Sequence, residues 1–269
     1  MEIEQGTGQY LSVLPLPTKW RLSGSEVYQP AFTQQLGLLT LPDSKYSTVQ
    51  LHLRHLPNRY ARCYTQLNDQ MHLPSLELPF TCQTRITYHL SLHPIYAVVH
   101  AGYAADYRRR LRLNQELPVP LTVANAFGVE EMLTLFRQHS GEAAGLKSRH
   151  YQQLLALYAA LQQHGQALPL EVRAPETGEL LAAALFIRFR TRLVYLFAAA
   201  SPAGKKVGAP LLVLDYIIQR HAGTPDLVLD FEGGMIKSIA RFFANFGATP
   251  VPYAALSFTQ RPWYLQWIR

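Results

Sequence analysis

Up to about Leu90 the apolar residues come in short runs, β-branched, aromatic or alternating with polar ones, and Pro and Asn separate the runs. A side-chain period of two belongs to a strand, so the pattern predicts strands over Tyr10–Leu16, Glu26–Gln29, Gln35–Leu39, Ala61–Gln66 and Thr81–Leu90, with one helix near Ser47–Leu56. From Ile95 to about Asn114 the period changes. Tyr96, Val99, Tyr103 and Tyr107 fall three and four residues apart, on one face of a connector helix. Arg108, Arg109, Arg110 and Arg112 stand toward its end, where cations suit the helix dipole. Leu117-Pro-Val-Pro120 ends it, because the residue before each proline is pushed out of the helical region.

Beyond Leu121 the pattern predicts two amphipathic helices, Val129–His139 and Lys147–His164, then strands Ala167–Ala174 and Glu179–Phe189 around the turn Pro175-Glu-Thr-Gly178, and a third strand Leu193–Ala199. A loop Ser201–Val207 follows, then a helix Gly208–His221, apolar on most sides and so expected to be buried. Next come a strand Leu227–Phe231 and a helix Met235–Phe246. That helix turns Ile236, Ile239, Phe243 and Phe246 inward, with Gly247 suited to a left-handed C-terminal cap. Thr249–Phe258 closes the unit as strand. The order α-α-β-β-β-α-β-α-β predicts an α/β protein on a mixed sheet.

The 269 residues are 48% hydrophobic and 16% charged, a composition that excludes a disordered chain, collagen and a coiled coil. The longest apolar runs, such as Leu180–Ile187, are about half the roughly 20 residues of a bilayer-crossing helix, and the acidic start Met-Glu-Ile-Glu does not read as a signal peptide. Cys63 and Cys82 are too few for a disulfide framework or a four-thiolate zinc site. Both are expected to be small buried residues, and the compartment reads as reducing and cytoplasmic. The net charge of +7 is spread: Lys and Arg outnumber Asp and Glu 11 to 8 up to Glu116 and 14 to 10 beyond it. The one dense cluster, Arg108 to Arg112, is either a solvated helix face or a phosphate track. Of the histidines, His52 and His55 are three apart and His89 and His93 four apart across a strand end, with no third ligand at a suitable spacing, so no metal is expected. Ser201 and Ser238 lack the setting of a nucleophile elbow.

The element order after Leu121 resembles the GNAT N-acetyltransferase fold. Leu229-Asp-Phe-Glu-Gly-Gly-Met-Ile-Lys-Ser-Ile-Ala-Arg-Phe-Phe-Ala-Asn-Phe-Gly-Ala248 looks more specifically like the Asp-Phe-Glu/Gly-Gly block and Phe-Gly-Ala ending of FemAB/FemX-like acyltransferases. Such proteins pair two GNAT modules in tandem, and Tyr28-Gln-Pro-Ala-Phe-Thr-Gln-Gln-Leu-Gly37 resembles a segment of the first module in bacterial relatives. The resemblance implies a first module over residues 1–116, N-terminally incomplete, with its connector helix, and a complete module over residues 117–269. It also implies an acyl donor, acetyl-CoA or another acyl-CoA, or an aminoacyl-tRNA as in FemAB/FemX-like enzymes. The acceptor would be a small-molecule or peptide amine.

GNAT enzymes hold the donor's pyrophosphate on backbone N–H groups of a loop that aligns here with Lys205, Lys206, Val207, Gly208 and Ala209. Pro210 removes one donor from that cradle, and the stretch reads equally as a surface turn with two solvated lysines. An attacking amine needs a base. Asp230 and Glu232 stand at the end of the strand read as central, where α/β sheets tend to place ligands, and alternation puts both on one side. Glu232 is the preferred base, since Gly233-Gly234 leave space for substrate, while Asp230 orients it or caps the next helix. The alternative is that both carboxylates satisfy N–H groups of the loop and helix end. Lys237 and Arg241 share a helix face that either binds an anionic acceptor or donor phosphate or is merely solvated. Tyr253 is a candidate proton donor to the leaving group or a packed core residue. Tyr28, Gln29, Phe32, Gln34 and Gln35 suit either a cleft wall or a strand edge. The reading is an N-acyltransferase working in a cleft between two modules. Its alternatives are a noncatalytic GNAT-fold protein that binds a ligand or partner, and a nucleic-acid binder using the arginine cluster.

Overall fold

The computed structural model describes residues 2–3, 9–22, 24–42, 44–45, 47–71, 73, 79–126 and 128–260. The chain forms two compact units, one of Met1–Ile86 with Val251–Arg269 and one of Thr87–Pro250, so residues 116 and 117 both lie inside the second.

In the first unit Thr18–Arg21 pairs antiparallel with Gly24–Val27, which runs parallel to Arg62–Gln66; the last pairs antiparallel with the Ala255–Thr259 end of Thr249–Thr259. The inward residues of these strands meet the short helix Val49–Leu53 in a core of Val27, Val49, Leu53, Cys63, Leu256 and Phe258. Tyr10–Val13 pairs with Leu39–Thr40. The strand expected at Gln35–Leu39 shrinks to that pair and one bridge from Leu36 to Leu67. Cys63 is buried as expected, whereas Cys82 is exposed.

The second unit carries a mixed sheet in the order of the Thr87–Ser91 end of Thr81–Ser91, Val228–Asp230, Arg192–Ala200, Leu180–Phe189, Ala167–Arg173, Val123–Asn125. Val228–Asp230 runs parallel to Arg192–Ala200 and antiparallel to the other neighbour. Alternation turns Leu90, Leu229, Phe231 and Leu193 to the face that meets the buried helix Ala209–His221 and an aromatic cluster. Phe246 sits at the centre of that cluster, its ring centroid 5.0 Å from Tyr107, 5.1 Å from Tyr103 and 6.1 Å from Phe231. Phe246→Ala should therefore cost about 3–5 kcal/mol, readable as a fall in the urea midpoint with m unchanged.

Three expectations need correction. The connector is two helices, Tyr96–Ala101 and Ala105–Gln115, because Gly102 ends the first and the Ala104 amide bonds to the Asn245 carbonyl instead. Ser201–Val207 is not a loop: Pro202–Val207 is a helix whose first turn is capped by the Ser201 hydroxyl, which accepts from the Gly204 amide at 2.9 Å. In the helix Lys237–Ala244, Ile236 and Ile239 do not face inward but are 60% and 39% exposed; Phe242 joins Phe243 and Phe246 in the core in their place.

Candidate functional site

The strand Val228–Asp230 delivers Asp230 to the face of the sheet opposite the aromatic cluster. Its direct cross-strand partner is His89, and Thr87 lies two residues along on the same face. Val194 is its partner on the parallel side, which places Arg192 on that face too. Asp230 Oδ1 accepts from the Thr87 hydroxyl at 2.7 Å and from the Glu232 amide at 3.0 Å, and Oδ2 lies 3.1 Å from His89 Nε2. Arg192 Nη1 stands 3.8 Å from Oδ2. Burial alone would push the Asp230 pKa up, but the His89, Thr87 and Glu232-amide bonds together hold it below the ordinary carboxylate value.

Glu232 does not continue the alternation. The strand stops at Asp230 and Glu232 takes φ +54°, the left-handed region that a non-glycine residue enters only when its surroundings fix it. The Asp230 bond to its amide is one such constraint. The Glu232 carboxyl is pushed up to about 8, first by burial and then by the negative charge of Asp230. Two carboxylates two residues apart thus hold opposite protonation states near neutral pH, the pattern of a site with divided acid and base duties. Gly233 follows in a tight fit, since a Cβ would stand 3.0 Å from the Phe243 ring and 3.3 Å from Ile239. Lys237 and Arg241, on the helix beyond, are both exposed. Thr87 and Arg192 are not singled out by the sequence and His89 only as a metal-ligand candidate, although the alternation of Thr87 and His89 with Tyr88 and Leu90 is the signal that marks a polar face.

The turn Lys205–Ala209 joins the helices Pro202–Val207 and Ala209–His221 through Gly208 at φ +83°. Two of its amides are engaged within the turn: the Lys205 amide bonds to the Ser201 carbonyl at 2.9 Å and the Gly208 amide to the Lys205 carbonyl at 3.3 Å. What the fold adds is charge from elsewhere. Arg110 reaches the Lys205 and Lys206 carbonyl oxygens with Nη2, both at 3.4 Å, so the arginine cluster and the dilysine turn converge. They border a pocket of about 710 Å³ whose walls include Arg109, Arg110, Lys206, Leu113, Leu117 and Val207. Lys205 lines a second pocket, of about 180 Å³, with Tyr195, Ala199, Pro210 and Val213. The described walls of these two pockets include neither Asp230 nor Glu232.

The remaining candidates lie in the first unit. Tyr253 donates to Gln66 Oε1 at 3.0 Å, and burial raises its pKa against opposing bonds from Arg85 and Gln34. The Tyr28 ring receives the Lys19 ammonium, 5.0 Å from its centroid. Gln29 accepts from the Gln66 amide at 2.9 Å and donates to the Thr33 carbonyl, and Gln35 accepts from the Asp69 amide at 3.1 Å. These two side chains pin the segment to its neighbours. Gln34 accepts from Gln35, and Phe32 takes φ +58°. Among the described residues no group of three or more His, Cys, Asp and Glu is placed to hold a metal, and no helix is long and apolar enough to cross a membrane.

The second unit is thus a mixed sheet with one parallel pair and a buried helix between its two members. A family model described as an acetyltransferase (GNAT) domain matches residues 101–235, half of the chain, and the chain belongs to that family. The fold is that of FemAB-like tandem GNAT proteins. FemX superposes with a TM-score of 0.68 at 12% identity, over 99% of this chain and 89% of its own. A conserved protein of unknown function from Bacteroides thetaiotaomicron gives 0.55 at 9% identity, over 84% and 79%. A tandem GNAT protein from the clavulanic acid biosynthesis pathway gives 0.50 at 11%, over 96% and 82%. No curated protein matches at the level of sequence.

Proposed function

We propose that this chain is an N-acyltransferase that moves an acyl or aminoacyl group from an activated donor, an acyl-CoA or an aminoacyl-tRNA, to a primary amine on a small molecule or peptide. The observation that carries the reading is Glu232, a carboxyl brought to a pKa of about 8 at the end of the central strand, beside two glycines. A base with that proton affinity takes a proton from an attacking amine near neutral pH far more readily than an ordinary carboxylate does. Glu232 accepts that proton directly or through one water, and Asp230, held ionised by its neighbours, keeps Glu232 basic. Tyr253, engaged with Gln66, carries no step in this reading.

The donor, when bound, supplies the activated acyl carbon. Lys205, Lys206, Arg109 and Arg110 would hold its phosphates through side-chain charge, which suits both donor classes. Donors of either kind belong to the cytoplasm. The test is a thermal-shift screen with acetyl-CoA, longer acyl-CoAs and aminoacyl-tRNA, followed by mass spectrometry of a panel of primary amines. One donor class should raise Tm by several degrees and give an acylated amine. No shift and no product with any donor would overturn the assignment; a shift without product would point to the noncatalytic alternative.

A further inference from the structure

We propose that His89 is a positioning residue for Glu232, acting through the carboxylate of Asp230. This deepens, and takes its catalytic meaning from, the reading of Glu232 as the base. The two oxygens of Asp230 are divided between two tasks. Oδ1 holds the Glu232 amide at 3.0 Å and so helps keep Glu232 in its left-handed turn, while Oδ2 is held by His89 at 3.1 Å. A carboxylate tied at one oxygen alone rotates about its bond to Cβ; tied at both, it presents a fixed face and a fixed charge to the residue two positions on.

Titratable and charged groups face Asp230 from the elements beside it. His89 comes from Thr81–Ser91 and Arg192 from Arg192–Ala200, with Arg192 Nη1 at 3.0 and 3.2 Å from the two His89 ring nitrogens; Glu232 comes from its own segment. His89 thereby fixes the Oδ2 side of the carboxylate by a hydrogen bond, and the Arg192 guanidinium, 3.8 Å from Oδ2, offsets part of the negative charge that Glu232 meets. Thr87 contributes a neutral bond to Oδ1. The two carboxyl pKa values are displaced in opposite directions, Asp230 down and Glu232 up, the latter first by burial and then by the charge of Asp230.

The test follows the Glu232 carboxyl itself by infrared difference spectroscopy, its band assigned by loss in Glu232→Gln. Asp230→Asn should lower the proton affinity of Glu232 at least tenfold, and His89→Gln should raise it about threefold. In the Asp230→Asn background the His89→Gln effect should vanish, because the route runs through that charge. An effect of His89→Gln that is absent in both backgrounds, or equal in both, overturns the proposal. Should His89→Gln fail to fold, His89→Asn carries the same test, with the same direction expected and the same loss in Asp230→Asn. The titration requires no donor. Coupling without turnover would therefore sink the transferase reading alone, and turnover without coupling would sink the relay alone.

Discussion

Glu232→Gln should lose about 10²–10⁴-fold in kcat/KM for acyl transfer and yet be more stable than the parent protein at pH 9. The first effect follows from removing the proton acceptor while keeping the shape of the side chain. In the parent protein the basic form of Glu232 grows tenfold per pH unit until about 8, so kcat/KM climbs over that range. In the variant only the ionisation of the acceptor amine should remain in the profile. The second effect is linkage. Glu232 has a folded pKa of about 8 against an ordinary 4.5, so between those values the unfolded chain ionises and the folded protein does not. The folded state therefore loses stability as pH rises from about 4.5 to about 8, and glutamine, with no charge to bury, escapes that loss. The Tm difference between variant and parent should widen across that window and then level off. A difference flat with pH would mean that the carboxyl is not held protonated, and the case for Glu232 as a tuned base would go with it.

The parts of the fold that could be read from the chain were those set by local period. Ala209–His221 is apolar on most sides and is buried, and the Asp230–Glu232 pair was placed at a strand end from its run of apolar residues alone. What resisted reading was tertiary. His89 and Asp230 are 141 positions apart in the numbering, and nothing local states that their strands pair in that register. The left-handed turn at Glu232 breaks the alternation that sequence reasoning extended by one residue too many. Ile236 and Ile239 fit an inward helical stripe, but the helix rolls so that Phe242 and Phe243 bury the larger rings. Ser201-Pro202 did carry a helix start, a capping serine followed by a proline whose missing N–H is harmless there. Gly204 and the two lysines read as a loop when the strand beneath them is not known.

Gly204 supplies the second large effect. A Cβ built there falls within bonding range of the Leu181 carbonyl, a backbone group at the start of Leu180–Phe189 that has no rotamer to move aside. The same carbonyl accepts the Ser201 amide at 3.0 Å and the Ser201 hydroxyl at 3.5 Å, so pushing the helix Pro202–Val207 outward to admit a methyl group also strains both bonds. Gly204→Ala should cost about 3 kcal/mol, which for a chain of this size lowers Tm by roughly 5–10 °C. Ser201→Ala, which removes the cap but keeps the close approach, should cost only about 1 kcal/mol. Because Lys205 and Lys206 ride on the displaced helix, Gly204→Ala should also weaken donor binding more than Ser201→Ala does, measured as a smaller ligand-induced rise in Tm. Equal melting temperatures for the two variants would mean that the helix does not lie against Leu181, and the convergence of the dilysine turn with Arg109 and Arg110 would lose its foundation.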